Sequence, residues 1–128
     1  MKRKLLLIFF CFFITLSFTA CNSYNIKVNA FTNNNNSSWT MRYGYFSGKE
    51  TKKLKINGME TATVDVDVTS AKGELDITII DDDGKIHYKG TNIPTSTFSV
   101  QLEKPSNYRI QVNAKKAEGS FSFKWDIK

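Results

Sequence analysis

The chain has 128 residues, with 18 Lys and Arg against 12 Asp and Glu, for a formal net charge of +6. Half of that excess is Lys2, Arg3 and Lys4; beyond residue 20 the balance is 15 against 12, or +3, which does not argue for nucleic acid as a partner. This length allows one domain with one core, and its two cysteines, Cys11 and Cys21, are too few for a disulfide scaffold.

The chain opens on Lys2-Arg3-Lys4 and continues in an uncharged, mostly apolar run over residues 5–18. As a helix this run is about 21 Å long, short of the roughly 20 residues that cross a hydrocarbon core, and it fits the apolar segment of a secretion signal better. The run ends in Phe18-Thr19-Ala20-Cys21. These four residues resemble the lipobox of bacterial lipoproteins, with Phe18 standing where Leu is usual. The resemblance implies that the Cys21 thiol receives a diacylglyceryl group and that a peptidase cuts just before it. Residues 1–20 are then a removed signal peptide, and Cys21 is the lipid-modified N-terminus. A plain secretory signal or an uncleaved anchor are the alternatives. Two acyl chains hold a protein at a membrane where one gives only marginal attachment.

Residues 21–38 read as a tether. Asn33-Asn34-Asn35-Asn36-Ser37-Ser38 is a polar low-complexity run that cannot bury a core. A flexible chain of this length reaches about 23 Å. Residues 25–31 alternate weakly, and if they form an edge strand the Asn run becomes a hairpin loop.

From Trp39 onward a two-residue period dominates. Val64, Val66 and Val68 alternate with Asp65 and Asp67; Leu75, Ile77 and Ile79 with Asp76 and Thr78; Phe98, Val100 and Leu102 with Ser99 and Gln101; Tyr108, Ile110 and Val112 with Arg109 and Gln111; Phe121, Phe123 and Trp125 with Ser122 and Lys124. Side chains on a strand point alternately to its two faces, so each run is a strand with one buried and one wet face. Asn57-Gly58 reads as a two-residue hairpin; Lys72-Gly73, Asp83-Gly84, Glu118-Gly119 and Pro105-Ser106-Asn107 mark further turns. Residues 91–96, with Pro94, are the longest polar connection and the expected crossover between sheets. The expectation is an all-β domain over residues 39–128, an antiparallel β-sandwich of about eight strands: 39–46, 51–57, 61–69, 74–81, 85–89, 97–103, 107–114 and 120–127.

The stretch Tyr43-Gly44-Tyr45-Phe46-Ser47-Gly48-Lys49-Glu50-Thr51 and the closing Gly119-Ser120-Phe121-Ser122-Phe123-Lys124-Trp125 resemble small lipoproteins of low-GC Gram-positive bacteria. With Tyr108-Arg109-Ile110-Gln111-Val112, the later strands are also similar to the ends of immunoglobulin-like and pre-peptidase C-terminal sandwich domains. The resemblance rests on strand patterning; it implies a fold and no particular activity.

Few residues argue for chemistry. Asp81-Asp82-Asp83-Gly84 is the one dense carboxylate cluster and a weak candidate for a calcium site. Its carboxylates are consecutive rather than alternate, and Lys85 falls where an EF-hand loop would place a ligand, so an ordinary turn explains it better. His87, the single histidine, reads as a solvent-face residue because Ile86 and Tyr88 should point the other way. No Ser lies in a nucleophile elbow, and one His with no recognisable partner gives a nucleophile no base. No catalytic residue and no cofactor is therefore assigned.

The stripe Trp39, Met41, Tyr43 and Tyr45 shares one face; buried, it is core, and exposed, it could stack on sugars or dock a partner. Lys52, Lys53 and Lys55 make a basic edge that either guards the sheet or attracts anionic lipids or wall polymers. Trp39, Tyr43, Tyr45, Lys53 and Lys55 form the candidate binding surface. The functional expectation is a non-enzymatic binding module, lipid-anchored on the extracytoplasmic face of a cell membrane, whose partner is an envelope protein or polymer. A structural or envelope-stress lipoprotein without a ligand is the alternative, and a hydrolase the remoter one.

Overall fold

The computed structural model describes residues 25–128. The expected signal peptide, the expected lipidation site Cys21 and the start of the expected tether lie outside the described residues. Seven strands follow in order: β1 (Ile26–Val28), β2 (Phe31–Asn34), β3 (Ser38–Ile56), β4 (Ala62–Ile80), β5 (Ile86–Gly90), β6 (Ser96–Leu102) and β7 (Ser106–Ile127). All pairings are antiparallel, with β7 central between β3 and β4, β1 and β2 along β3, and β5 and β6 along β4.

Strands β3, β4 and β7 have 19, 19 and 22 residues against 3 to 7 in the others, and each bends near its middle. Register breaks fall at Tyr43–Gly48 in β3 and at Ser70–Glu74 in β4, both against the segment 114–119 of β7. The first half of β3 pairs with the second half of β7, and its second half with the first half of β7. One continuous sheet is thereby creased into two layers. The first holds β2, residues 38–43, 119–127 and 62–70, and β6; the second holds residues 48–56, 106–114 and 74–80, and β5. Extra residues in a strand bend it and raise its twist, and this is how a long strand turns a corner without breaking its ladder.

Two of the expected turns are these corners. Lys72-Gly73 and Glu118-Gly119 pair across the crease, Lys72 opposite Glu118. The glycines are there for closeness: a Cβ on Gly73 would lie 2.1 Å from the Lys116 carbonyl oxygen, and one on Gly119 1.9 Å from that of Thr69. Sequence patterning sees a Gly interrupting alternation in either case, so eight expected strands become three long bent ones and four short ones.

The connections at the other end differ from the local reading too. Asn57-Gly58 is no hairpin, because β3 and β4 are not paired; residues 57–61 carry the chain from one layer to the other. Residues 91–95 cross between layers as expected, from β5 to β6. Asp83-Gly84 does turn a hairpin, between β4 and β5.

The tether reading gives way from residue 26 onward, where β1 and β2 add edge strands to β3. The Asn run closes the β2–β3 hairpin: Asn35 Oδ1 accepts the backbone N–H of Ser37 and of Ser38, both at 2.9 Å, and Trp125 Nε1–H donates to the Asn36 carbonyl at 2.9 Å.

The core fills the space between the layers with the apolar member of each alternation, including Val64, Val66, Ile77, Val100, Ile110 and Phe123. Trp39 stacks on Phe123 at 5.4 Å between ring centroids and meets Phe121 edge-on at 4.8 Å. Such pairs add about 0.5–1.5 kcal/mol to the burial itself.

Candidate functional site

Burial removes two residues from the candidate surface. Trp39 and Tyr43 are each 3% exposed and belong to the core, so neither can stack on a ligand without unfolding the sheet. Burial pushes the Tyr43 phenol up to about 12. Tyr45 is half-buried at the β3 bend, while Lys53 and Lys55 are exposed on the outer face of the second layer.

These two lysines line a groove of about 720 Å³ at the end opposite the bends. Strand β3 contributes Lys53 and Lys55, β7 contributes Asn107 and Arg109, and the β4–β5 turn closes the far side with Asp82 and Gly84. Lys53 stands directly opposite Arg109 in the ladder, and Lys55 opposite Asn107. Like charges facing across strands repel. No carboxylate relieves them: among the described residues Lys53, Lys55 and Arg109 enter no ion pair.

The acids nearest to them are all engaged elsewhere. Asp82 accepts Asn107 Nδ2–H at 2.9 Å, and Asp83 accepts Lys104 Nζ–H at 2.8 Å. That pairing with Asp83 holds the Lys104 ammonium above its ordinary range. Asp81 is the one buried charged side chain among the described residues. Its Oδ1 accepts the backbone N–H of Asp83 at 2.9 Å and of Lys85 at 3.0 Å, shaping the turn, and its Oδ2 bonds His87 Nε2 at 2.8 Å. The His87 hydrogen bond, helped by the two backbone donors and the Lys104 charge, keeps this carboxyl below the usual carboxylate range against the opposing effect of burial. An ionised carboxylate only accepts, so Nε2 carries the proton.

His87 was expected on the solvent face, and a bulge moves it. Ile79 pairs with Tyr88 and Ile80 with Ile86, so His87 is the unpaired extra residue. It turns inward to Asp81, packs edge-on against Tyr108 at 5.0 Å, and leaves its side chain 13% exposed. Tyr108, from below, donates its hydroxyl to the Lys104 carbonyl. Periodicity alone cannot register a one-residue bulge, so this cluster carries no signal in the sequence.

The three consecutive Asp side chains diverge rather than converge. Asp81 points inward with both oxygens occupied, and its neighbours bond outward to different partners. Among the described residues no group of three metal-ligating side chains converges. The outward carboxylates Asp65 and Asp67 likewise serve the sheet, accepting the hydroxyls of Ser99 and Thr97.

No family model matches the chain, and no curated protein matches it significantly. Solved structures with a related arrangement include a family 29 carbohydrate-binding module complexed with mannohexaose, at 12% identity and a TM-score of 0.41 over 84% of this chain and 80% of that one. The carbohydrate-binding module CBM6cm-2 from Cellvibrio mixtus lichenase 5A, in complex with cellotriose, gives 15% and 0.42 over 82% and 87%. PliG of Aeromonas hydrophila, a periplasmic inhibitor of g-type lysozyme, gives 16% and 0.41 over 85% and 90%. At these values the likeness says nothing about ligand or role.

Proposed function

We propose that this chain is a binding module, lipid-anchored through Cys21 outside the cell membrane, whose groove takes an anionic polymer of the cell envelope. The observation that carries the ligand class is the row Lys53, Lys55 and Arg109. Three cations line one concavity, two of them directly opposed, while every acid of the neighbouring turn is bonded to another group. Opposed cations cost stability in the empty protein, and a bound phosphate or carboxylate removes that repulsion. Arg109 offers a planar fork for either anion, and the lysines act as point charges.

The anchor rests on the lipobox-like residues 18–21 and is tested by mass spectrometry of the native N-terminus. A diacylated Cys21 is expected; an unmodified Cys21 or cleavage elsewhere refutes it. The ligand class is tested by calorimetry of the mature protein with a polyphosphate chain and with poly-glutamate. Replacing Lys53 and Arg109 by Ala removes two exposed charge contacts, each worth up to about 1 kcal/mol, so affinity should fall about tenfold. It should also fall with added salt, since exposed charges are screened over about 10 Å at 0.1 M. Unchanged affinity in the double variant refutes the groove as the site.

A further inference from the structure

The end of the sandwich remote from the groove carries a second surface. At the crease Ile26 stands opposite Ser47 and Val28 opposite Tyr45, and nearby Phe31 stands opposite Arg42. Directly opposed residues share a face, and the neighbouring Tyr43 and Phe46 are buried, so these side chains point outward. Ile26, Val28 and Phe31 are 51%, 50% and 73% exposed, an apolar group that the fold leaves uncovered.

Cations lie in line with it. Phe46 pairs with Ala117 and Gly48 with Ala114, so the single residue Ser47 faces both Lys115 and Lys116. These two lysines and Arg42 are exposed, and none enters an ion pair among the described residues. Apolar side chains flanked by cations are what an anionic headgroup layer accepts, the first by burial and the second by charge.

Chain length argues for the same occupant. Asn25 is fixed to this end: its Nδ2–H donates to the Lys49 carbonyl at 2.9 Å and its Oδ1 accepts the Lys49 N–H at 2.7 Å. Four peptide steps separate it from Cys21, a span of at most about 14 Å. A lipid on Cys21 therefore holds the crease, not the groove, at the membrane.

We infer that the creased end docks on an anionic lipid surface. Phe31, Val28 and Ile26 enter the headgroup layer, Arg42, Lys115 and Lys116 meet lipid phosphates, and the groove faces outward. This rests on the reading that Cys21 is lipidated. The test places the mature lipidated protein in vesicles of phosphatidylcholine and phosphatidylglycerol that contain brominated lipid. Two variants that each add one Trp to the native Trp39 and Trp125 are compared, with the emission of the parent protein subtracted: Phe31→Trp at the crease and Met59→Trp in the fully exposed connection at the other end. Bromine should quench the first several-fold more than the second. Adding Lys115→Glu and Lys116→Glu, both on exposed side chains, should remove most of that difference while circular dichroism stays unchanged. Equal quenching of the two reporters in a protein that floats with the vesicles overturns docking alone, as does a difference that survives the charge reversal. Dimers cross-linked through β1 without vesicles would identify a second copy as the occupant and overturn it too. A chain that does not float overturns the anchor, and this inference with it.

Discussion

Gly73 and Gly84 have nearly the same backbone, φ +74° and +82°, yet opposite surroundings. Around Gly84, in the hairpin turn, a Cβ would meet nothing within 4 Å; at Gly73, in the crease, it would lie 2.1 Å from the Lys116 carbonyl oxygen and 2.5 Å from that of Lys115. Gly84→Ala should therefore incur only the left-handed backbone penalty of an L-residue, about 1–2 kcal/mol. Gly73→Ala incurs the same penalty and must also push β7 away by more than an ångström before ordinary contact is restored. Overpacking of that kind adds about 1–3 kcal/mol, for a total of about 2–5 kcal/mol, a large share of the 5–15 kcal/mol typical of a domain. Urea unfolding of the protein without residues 1–20 reads both values, provided the slope is common to the variants. Equal losses at the two positions would mean that β4 and β7 do not approach at Gly73, and the creased sheet would be wrong.

Other expectations follow from burial and charge. Phe123→Ala should lose about 3–5 kcal/mol, whereas Asp67→Ala, on the wet face, should lose less than about 0.5 kcal/mol; equal losses would invert the assigned faces. The depressed Asp81 carboxyl stabilises the fold above its unfolded pKa, and that contribution disappears as pH falls through the lower folded value. Asp81→Asn should accordingly flatten the acid limb of a stability–pH profile below about pH 4, and an unchanged limb would contradict the His87 pairing. Tyr43 acts at the other extreme: its folded pKa of about 12 lies above the ordinary value of 10.0, so stability is full below 10 and is lost as pH rises towards 12. Tyr43→Phe should remove that part of the alkaline slope.

Strand positions and faces were legible because alternation is a direct projection of burial, and every run from Val64 to Trp125 put its apolar member inside. Connectivity was not. A Gly that ends a strand and a Gly that creases one look alike locally; only the partner strand, tens of residues away, distinguishes Lys72-Gly73 from Asp83-Gly84. Short edge strands such as β1 and β2 carry little periodicity because both faces are exposed, so residues 26–34 resembled a linker.

The candidate site divides along the same line. Lys53 and Lys55 could be picked out as outward cations, but Arg109, more than fifty residues later, joins them only through the β3–β7 register. Residue type alone offers Trp39 and Tyr43 as surface residues, whereas the alternation of β3 turns both into the core beside Phe121.

The most direct test of the central claim is a two-dimensional amide NMR titration of the protein without residues 1–20 with tripolyphosphate. Saturable shifts should be confined to the groove, at residues 53–55, 80–84 and 107–109, and be lost in Lys53→Ala/Arg109→Ala. Shifts centred on Lys115 and Lys116, or spread evenly over all exposed lysines, would contradict it.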